Sequence, residues 1–135
     1  MWGIDRSGAA SHASLGKDAI GGIEDGTWDD SGAAVPISSK DPSWGSRSAP
    51  VTIVEYSDFE CPHCSKVVAT LDGLKEKYGP DKLRIVWKHH PLPIHKNATA
   101  AHIASEVVFQ LGGSEAFWKF HDLAFQNRAG LNADS

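Results

Sequence analysis

Apolar residues first gather into a pattern at Val51-Thr52-Ile53-Val54-Glu55-Tyr56, a β-branched, nearly continuous run that suits a strand buried on both faces of a sheet. Beyond Ser57-Asp58-Phe59-Glu60 the period changes. Val67, Val68, Leu71, Leu74 and Tyr78 form a stripe at helical spacing that stops at Gly79-Pro80, which predicts a helix of about four turns. Leu83-Arg84-Ile85-Val86-Trp87-Lys88 predicts a second strand, parallel to the first if the helix is a right-handed crossover. The three elements read as a βαβ unit.

His89-His90-Pro91-Leu92-Pro93 breaks that strand, and a helix follows from about Asn97 to Leu111, with Ala100, Ala104, Val107, Val108 and Leu111 on one side and Gly112-Gly113 ending it. Ser114 is the N-cap expected for a further helix to about Asn127, whose stripe is Phe117, Phe120, His121 and Ala124. Upstream, Val35-Pro36-Ile37 fits a short edge strand, where proline is tolerated, and residues 38–50 read as loop. Residues 1–34 are mostly Gly, Ser, Ala and Asp, with lone apolar residues at no sustained period, and read as a flexible leader to a domain over 35–135.

A chain of 135 residues supplies one hydrophobic core and not two. The net charge of -4 is scattered without blocks of like sign, so nothing calls for nucleic acid. No apolar run approaches the ~18 residues of a membrane span, and the first thirty residues lack the pattern of an export signal. Two cysteines three positions apart cannot staple distant parts of a fold, so the pair needs a local explanation.

That explanation lies in Cys61-Pro62-His63-Cys64. If the first helix starts there, Pro62 takes the first helical position, where a missing N–H costs nothing, and Cys61 sits at the cap with its sulfur facing unpaired backbone donors. Those donors and the helix dipole favour the thiolate, making Cys61 both nucleophile and leaving group. Cys64, one turn in, is expected to be more buried and to resolve the mixed disulfide. His63 can offer the thiolate a hydrogen bond or a positive charge, which favours oxidation over reduction. No cofactor beyond the Cys61–Cys64 pair is implied.

Glu55, six residues before Cys61, is expected to point at or beneath the helix start. A Glu55–Lys88 ion pair would relieve its burial and leave a proton carrier near Cys64, although either residue facing solvent fits equally well. A different class of function is a zinc-binding module using Cys61 and Cys64 with His89, His90 and His95. Against it, structural zinc sites usually repeat the C-x-x-C knuckle, whereas here the motif opens a helix directly after a strand. His102 and His121, on amphipathic helices, receive no role. Trp87 and Trp118 are expected in the core, with Trp2, Trp28 and Trp44 in leader or loop.

The segment from Val51 to Cys64 resembles the active-site segment of the DsbA-like thiol:disulfide oxidoreductases, within the thioredoxin superfamily, and the likeness continues through Lys88-His89-His90-Pro91-Leu92 to Phe125. The resemblance implies an α/β fold, a thioredoxin-like βαβ unit with an inserted helical segment. It implies oxidation of exported proteins in the periplasm or cell envelope, with reduced or unfolded client proteins and a redox-recycling partner. A reductase or isomerase on the same fold remains the alternative. Glu55 and Lys88 match family positions that aid proton transfer. The family also has a cis-proline loop opposite the cysteines, two antiparallel strands and a closing helix. The few residues after Gly130 do not supply these, so an incomplete unit with an uncovered sheet edge is expected.

Overall fold

The computed structural model of the protein describes residues 29–30 and 32–131, so most of the expected leader lies outside the described residues. Six elements follow in order: β1 (Ser43–Trp44), β2 (Val51–Ser57), α1 (Pro62–Tyr78), β3 (Leu83–His89), α2 (Ala98–Gln126) and α3 (Arg128–Leu131). The sheet order is β1-β3-β2, with β1 antiparallel and β2 parallel to β3. The expected βαβ unit is therefore present, with β3 at its centre.

The edge strand is not where the sequence suggested. Residues 35–37 form no strand, because Ile37 turns in to pack with Val54 and Val86 while its carbonyl accepts the Asp30 N–H at 2.9 Å. Ser43 and Trp44 pair with Val86 and Ile85 instead. Gly45 makes this approach possible: it sits at φ +91°, and a Cβ there would stand 2.2 Å from the Leu83 carbonyl oxygen. A two-residue strand beside a glycine carries too little periodicity to be read from sequence.

β2 is not buried on both faces either. Ile53, Glu55 and Ser57 face the helices, whereas Val51 is 54% and Tyr56 56% exposed. β2 is the second edge of this sheet, so it lacks the neighbours that would cover it.

α1 runs as predicted, with Pro62 in its first turn and Gly79 ending it at φ 72°. Leu71 is buried, and Val68 and Leu74 pack on the same core. α2 bends where two helices were expected, at Gly113, whose φ of 71° leaves helical space. Its first half turns the other face inward: Ala98, Ala101, His102 and Ser105 are buried, while Val107 is 48% and Leu111 84% exposed. Ser114 serves the sheet, its Oγ accepting the Ser43 N–H at 3.0 Å.

The core centres on Phe59, stacked on Trp87 at 4.9 Å between centroids, with Phe117, Trp118 and Phe125 from α2 and Leu83 and Ile85 from β3. Trp87 and Trp118 are core residues as expected, and Trp44 also packs against the cluster. Phe59 is wholly buried two residues before Cys61. The turn that carries the cysteine is thus anchored by the core itself.

Candidate active site

Cys61 occupies the N-cap of α1 with extended backbone (φ -73°, ψ 124°), and Pro62 follows at the first helical position. Both cysteines are free thiols. Burial alone would push the Cys61 thiol up. It is outweighed by the backbone N–H of Cys64, the Cys64 thiol and the backbone N–H of His63, so the Cys61 pKa lies below that of an ordinary thiol. Sγ closes no capping hydrogen bond of full geometry, so these donors act chiefly through their dipoles. The His63 ring is exposed, and it is the backbone N–H of that residue that faces the sulfur.

Cys64 is shifted the other way. Burial raises its pKa and the neighbouring Cys61 adds to this, while the Asp58 backbone and the Ser57 hydroxyl only partly offset it. By exposed surface Cys61, at 9%, is the more covered and Cys64 is half-buried, whereas burial weighs more heavily on Cys64, whose pKa it raises.

That turn is held by two carboxylates the sequence reading passed over. Asp58 Oδ1 accepts the Glu60 N–H at 2.8 Å, and its Oδ2 accepts the Leu92 N–H at 2.8 Å and lies 2.7 Å from His95 Nδ1. The Cys61 N–H donates to the Asp58 carbonyl at 3.1 Å. Glu60 Oε2 accepts the Asn97 N–H at 2.9 Å, and Arg128 Nη1 donates to the Glu60 carbonyl at 3.3 Å. Burial would raise the Asp58 pKa, but the bonds from His95, Leu92 and Glu60 bring it below the usual carboxylate range. The available signal was two acids flanking a phenylalanine directly before the motif, at the end of an apolar strand.

Glu55 is buried, with His121 and with Asp72 and Lys75 of α1 as the charged groups that act on it, and its partner is not Lys88. In the parallel register Glu55 stands opposite Trp87 and Tyr56 opposite Lys88. Side chains alternate along a strand, so Lys88 leaves by the other face, where Asp41 holds it at 2.8 Å. Glu55 is 8% exposed and neither carboxylate oxygen makes a hydrogen bond. Burial raises its pKa, against weaker lowering by His121, Ser57 and Lys75.

The histidines make contacts of their own. Trp87 Nε1–H donates to His89 Nδ1 at 3.0 Å, so His102 Nδ1, 2.7 Å from that same nitrogen, must carry the proton between them. His102 Nε2 then accepts the Phe59 N–H at 3.4 Å, and His89 Nε2 faces Glu106 at 3.4 Å. Burial, reinforced by His89, pushes the His102 pKa down to about 4. His95 is taken by Asp58 and His90 is exposed. Among the described residues, no three metal-ligating side chains converge.

A βαβ unit whose crossover helix opens on C-x-x-C, with the first thiol acidified and the second not, defines a thioredoxin-like domain. Residues 38–134 match the family model described as thioredoxin, and the chain belongs to that family. DsbA2 of Pseudomonas aeruginosa is 31% identical with a TM-score of 0.59, over 70% of this chain and 50% of that one. MdbA of Corynebacterium diphtheriae, a thiol-disulfide oxidoreductase, shares the fold at a TM-score of 0.59 and 20% identity, over 72% of this chain and 53% of MdbA. The Na(+)/H(+) antiporter NhaA 1 of Salinispora arenicola is 34% identical over 132 residues, 96% of this chain and 19% of the antiporter. The chain thus spans about a fifth of that relative and half of DsbA2. No helix among the described residues is long and apolar enough to cross a membrane.

Proposed function

We propose that the chain is a thiol-disulfide oxidoreductase that works as a dithiol oxidant, introducing disulfides into exported client proteins through a mixed disulfide on Cys61. The observation that carries this reading is the opposite displacement of the two thiols at the start of α1, Cys61 towards the thiolate and Cys64 towards the thiol. A client thiolate attacks Cys61 Sγ of the disulfide form, the Cys61–Cys64 bond breaks, and Cys64 leaves with the electron pair and takes a proton. A second client thiolate then attacks the client sulfur and releases Cys61 as a thiolate. Two client thiols become one disulfide, the pair is reduced, and a recycling partner reoxidises it. The pair itself carries the electrons.

Stabilising the Cys61 thiolate stabilises the reduced pair, which makes the disulfide the stronger oxidant. Likeness to DsbA2 supports this direction and a place in the periplasm or cell envelope. Equilibration of the pair in glutathione buffers tests it. A potential nearer to about -120 mV than to about -270 mV is expected, and a value at the lower figure would make the chain a reductase. Cys64→Ser should accumulate mixed disulfides with client proteins, and Cys61→Ser should form none. Stoichiometric zinc retained by the purified chain, with both thiols unreactive, would replace this reading with the metal-binding one.

A further inference from the structure

A buried negative charge stands in the turn that carries the attacking cysteine, where it works against a thiolate. Asp58 is 1% exposed, and its carboxylate is fixed by the Glu60 N–H on Oδ1 and the Leu92 N–H on Oδ2. Its backbone carbonyl accepts the Cys61 N–H at 3.1 Å, so the carboxylate and the sulfur are held in one rigid turn. Besides burial, the Asp58 charge pushes the Cys61 thiol up, against the donors at the helix start. The carboxylate is nevertheless required there, because it ties the turn to the segment before α2.

Two imidazoles flank Asp58, and they differ in what they can give it. His102 Nε2, from α2, lies 4.0 Å from Oδ1 but accepts the Phe59 N–H, so that nitrogen carries no proton. Its ring is buried, and burial pushes its pKa down to about 4, which leaves it neutral where thiols ionise. His95, from the loop before α2, places Nδ1 2.7 Å from Oδ2. An ionised carboxylate only accepts, so Nδ1 carries a proton, and with 18% of the side chain exposed the ring can exchange a second one with solvent. The other charged groups nearby are committed: Glu60 Oε2 accepts the Asn97 N–H, Arg128 donates to the Glu60 carbonyl, and Lys88 is held by Asp41. The His63 ring is exposed.

We propose that His95 is a positioning residue for the redox pair: its protonated ring offsets the Asp58 charge that opposes the Cys61 thiolate, and so sets how strong an oxidant the disulfide is. This rests on the reading of Cys61 and Cys64 as a redox pair. In the disulfide form Cys61 carries no charge and the ring answers to Asp58 alone. In the dithiol form the thiolate adds a second negative charge, which the ring also stabilises. The pair is therefore most oxidising while His95 is charged. As pH rises and the ring becomes neutral, oxidising strength falls by more than the two thiols alone would produce.

The test compares the wild type with His95→Asn, His95→Lys and Asp58→Asn, alone and combined. Thiolate absorbance against pH follows the lower step of the dithiol pair, which reports Cys61, and equilibration with glutathione gives the potential. His95→Asn places an amide N–H where Nδ1 stands but brings no charge. It should make Cys61 roughly threefold or more less acidic and move the glutathione equilibrium by a similar factor towards the disulfide form. His95→Lys restores a charge beside Asp58 and should recover most of both changes. In the Asp58→Asn background, where no charge remains to be offset, His95→Asn should have little effect. His95 is partly exposed in a loop, so its variants answer even if Asp58→Asn unfolds. A Cys61 step unchanged in His95→Asn overturns the proposal, and so does a His95→Lys that behaves as His95→Asn, which would assign the effect to the hydrogen bond alone. An equal effect of His95→Asn with and without the Asp58 carboxylate overturns it as well. Each of these outcomes leaves the redox reading intact, whereas a wild type that exchanges no disulfide overturns that reading itself.

Discussion

At the scale of single residues, ordinary groups acquire unusual properties here from what surrounds them. Glu55 is a carboxyl in a strand interior with no hydrogen bond, and burial holds its pKa above the usual 4.5. The native state therefore binds a proton that the unfolded chain has already lost as pH rises past 4.5, so stability falls with rising pH through this window until the native carboxyl also ionises. Glu55→Gln keeps the shape and removes the charge. It should raise stability at neutral pH by about 1–3 kcal/mol in urea titrations, with no gain below pH 4. Equal stability of the two proteins at pH 8 would mean that Glu55 is not held neutral. If Glu55 also feeds protons to Cys64, the stabilised variant should be slower in disulfide exchange, a trade of stability against function that a purely structural carboxyl would not show.

At the scale of elements, the turn between β2 and α1 is tied to the segment that precedes α2. Asp58 bonds to Leu92 and His95 and Glu60 to Asn97, so the start of the inserted helices and the start of α1 share one support. Removing the Asp58 carboxylate leaves those donors buried without an acceptor. Asp58→Ala should therefore cost about 3 kcal/mol or more and speed hydrogen exchange at the Leu92 and Glu60 amides. Asp58→Asn retains part of the bonding and removes a negative charge that raises the Cys61 pKa, so iodoacetamide titration should find Cys61 more acidic. These ties explain what sequence could and could not convey. β2, α1 and β3 announce themselves through period and breakers, and the C-x-x-C pair through its place between them. The first half of α2 misleads, because Val107 and Leu111 outweigh His102 and Ser105 in hydropathy, yet the latter pair faces the core. His102 is bonded to Phe59 and His89, and the Ser105 hydroxyl donates to the His102 carbonyl, contacts that no periodicity records. Lys88 misleads for a related reason: the strand assignments are right, but only the register decides which face it takes.

At the scale of the whole molecule, the buried titratable groups set a pH range for the fold, and their signs oppose. His102 has its pKa pushed down from 6.5 to about 4. Between those values the unfolded chain binds a proton and the native one does not, so stability rises with pH across this range and is lost as pH falls. The full loss amounts to about 3 kcal/mol, one shift of that size converted at 1.36 kcal/mol per unit. Asp58, held below its ordinary 3.8, adds a further loss at still lower pH. Glu55 works against His102 above 4.5, since its contribution falls as pH rises. His89, also held below 6.5 by burial, adds to the His102 slope, so the wild-type melting temperature should rise less from pH 4.5 to 6.5 than these two histidines alone would give, and should drop further below pH 4 as Asp58 protonates. Substitution separates the two contributions. In Glu55→Gln the opposing slope is gone, so the melting temperature should climb visibly from pH 4.5 to 6.5. Adding His102→Gln to that variant, where the amide can still donate to His89 and accept from Phe59, should shrink the climb to the part His89 contributes. If Glu55→Gln melts at one temperature across the whole interval, His102 does not titrate with folding and the donor assignments along Trp87, His89 and His102 are wrong.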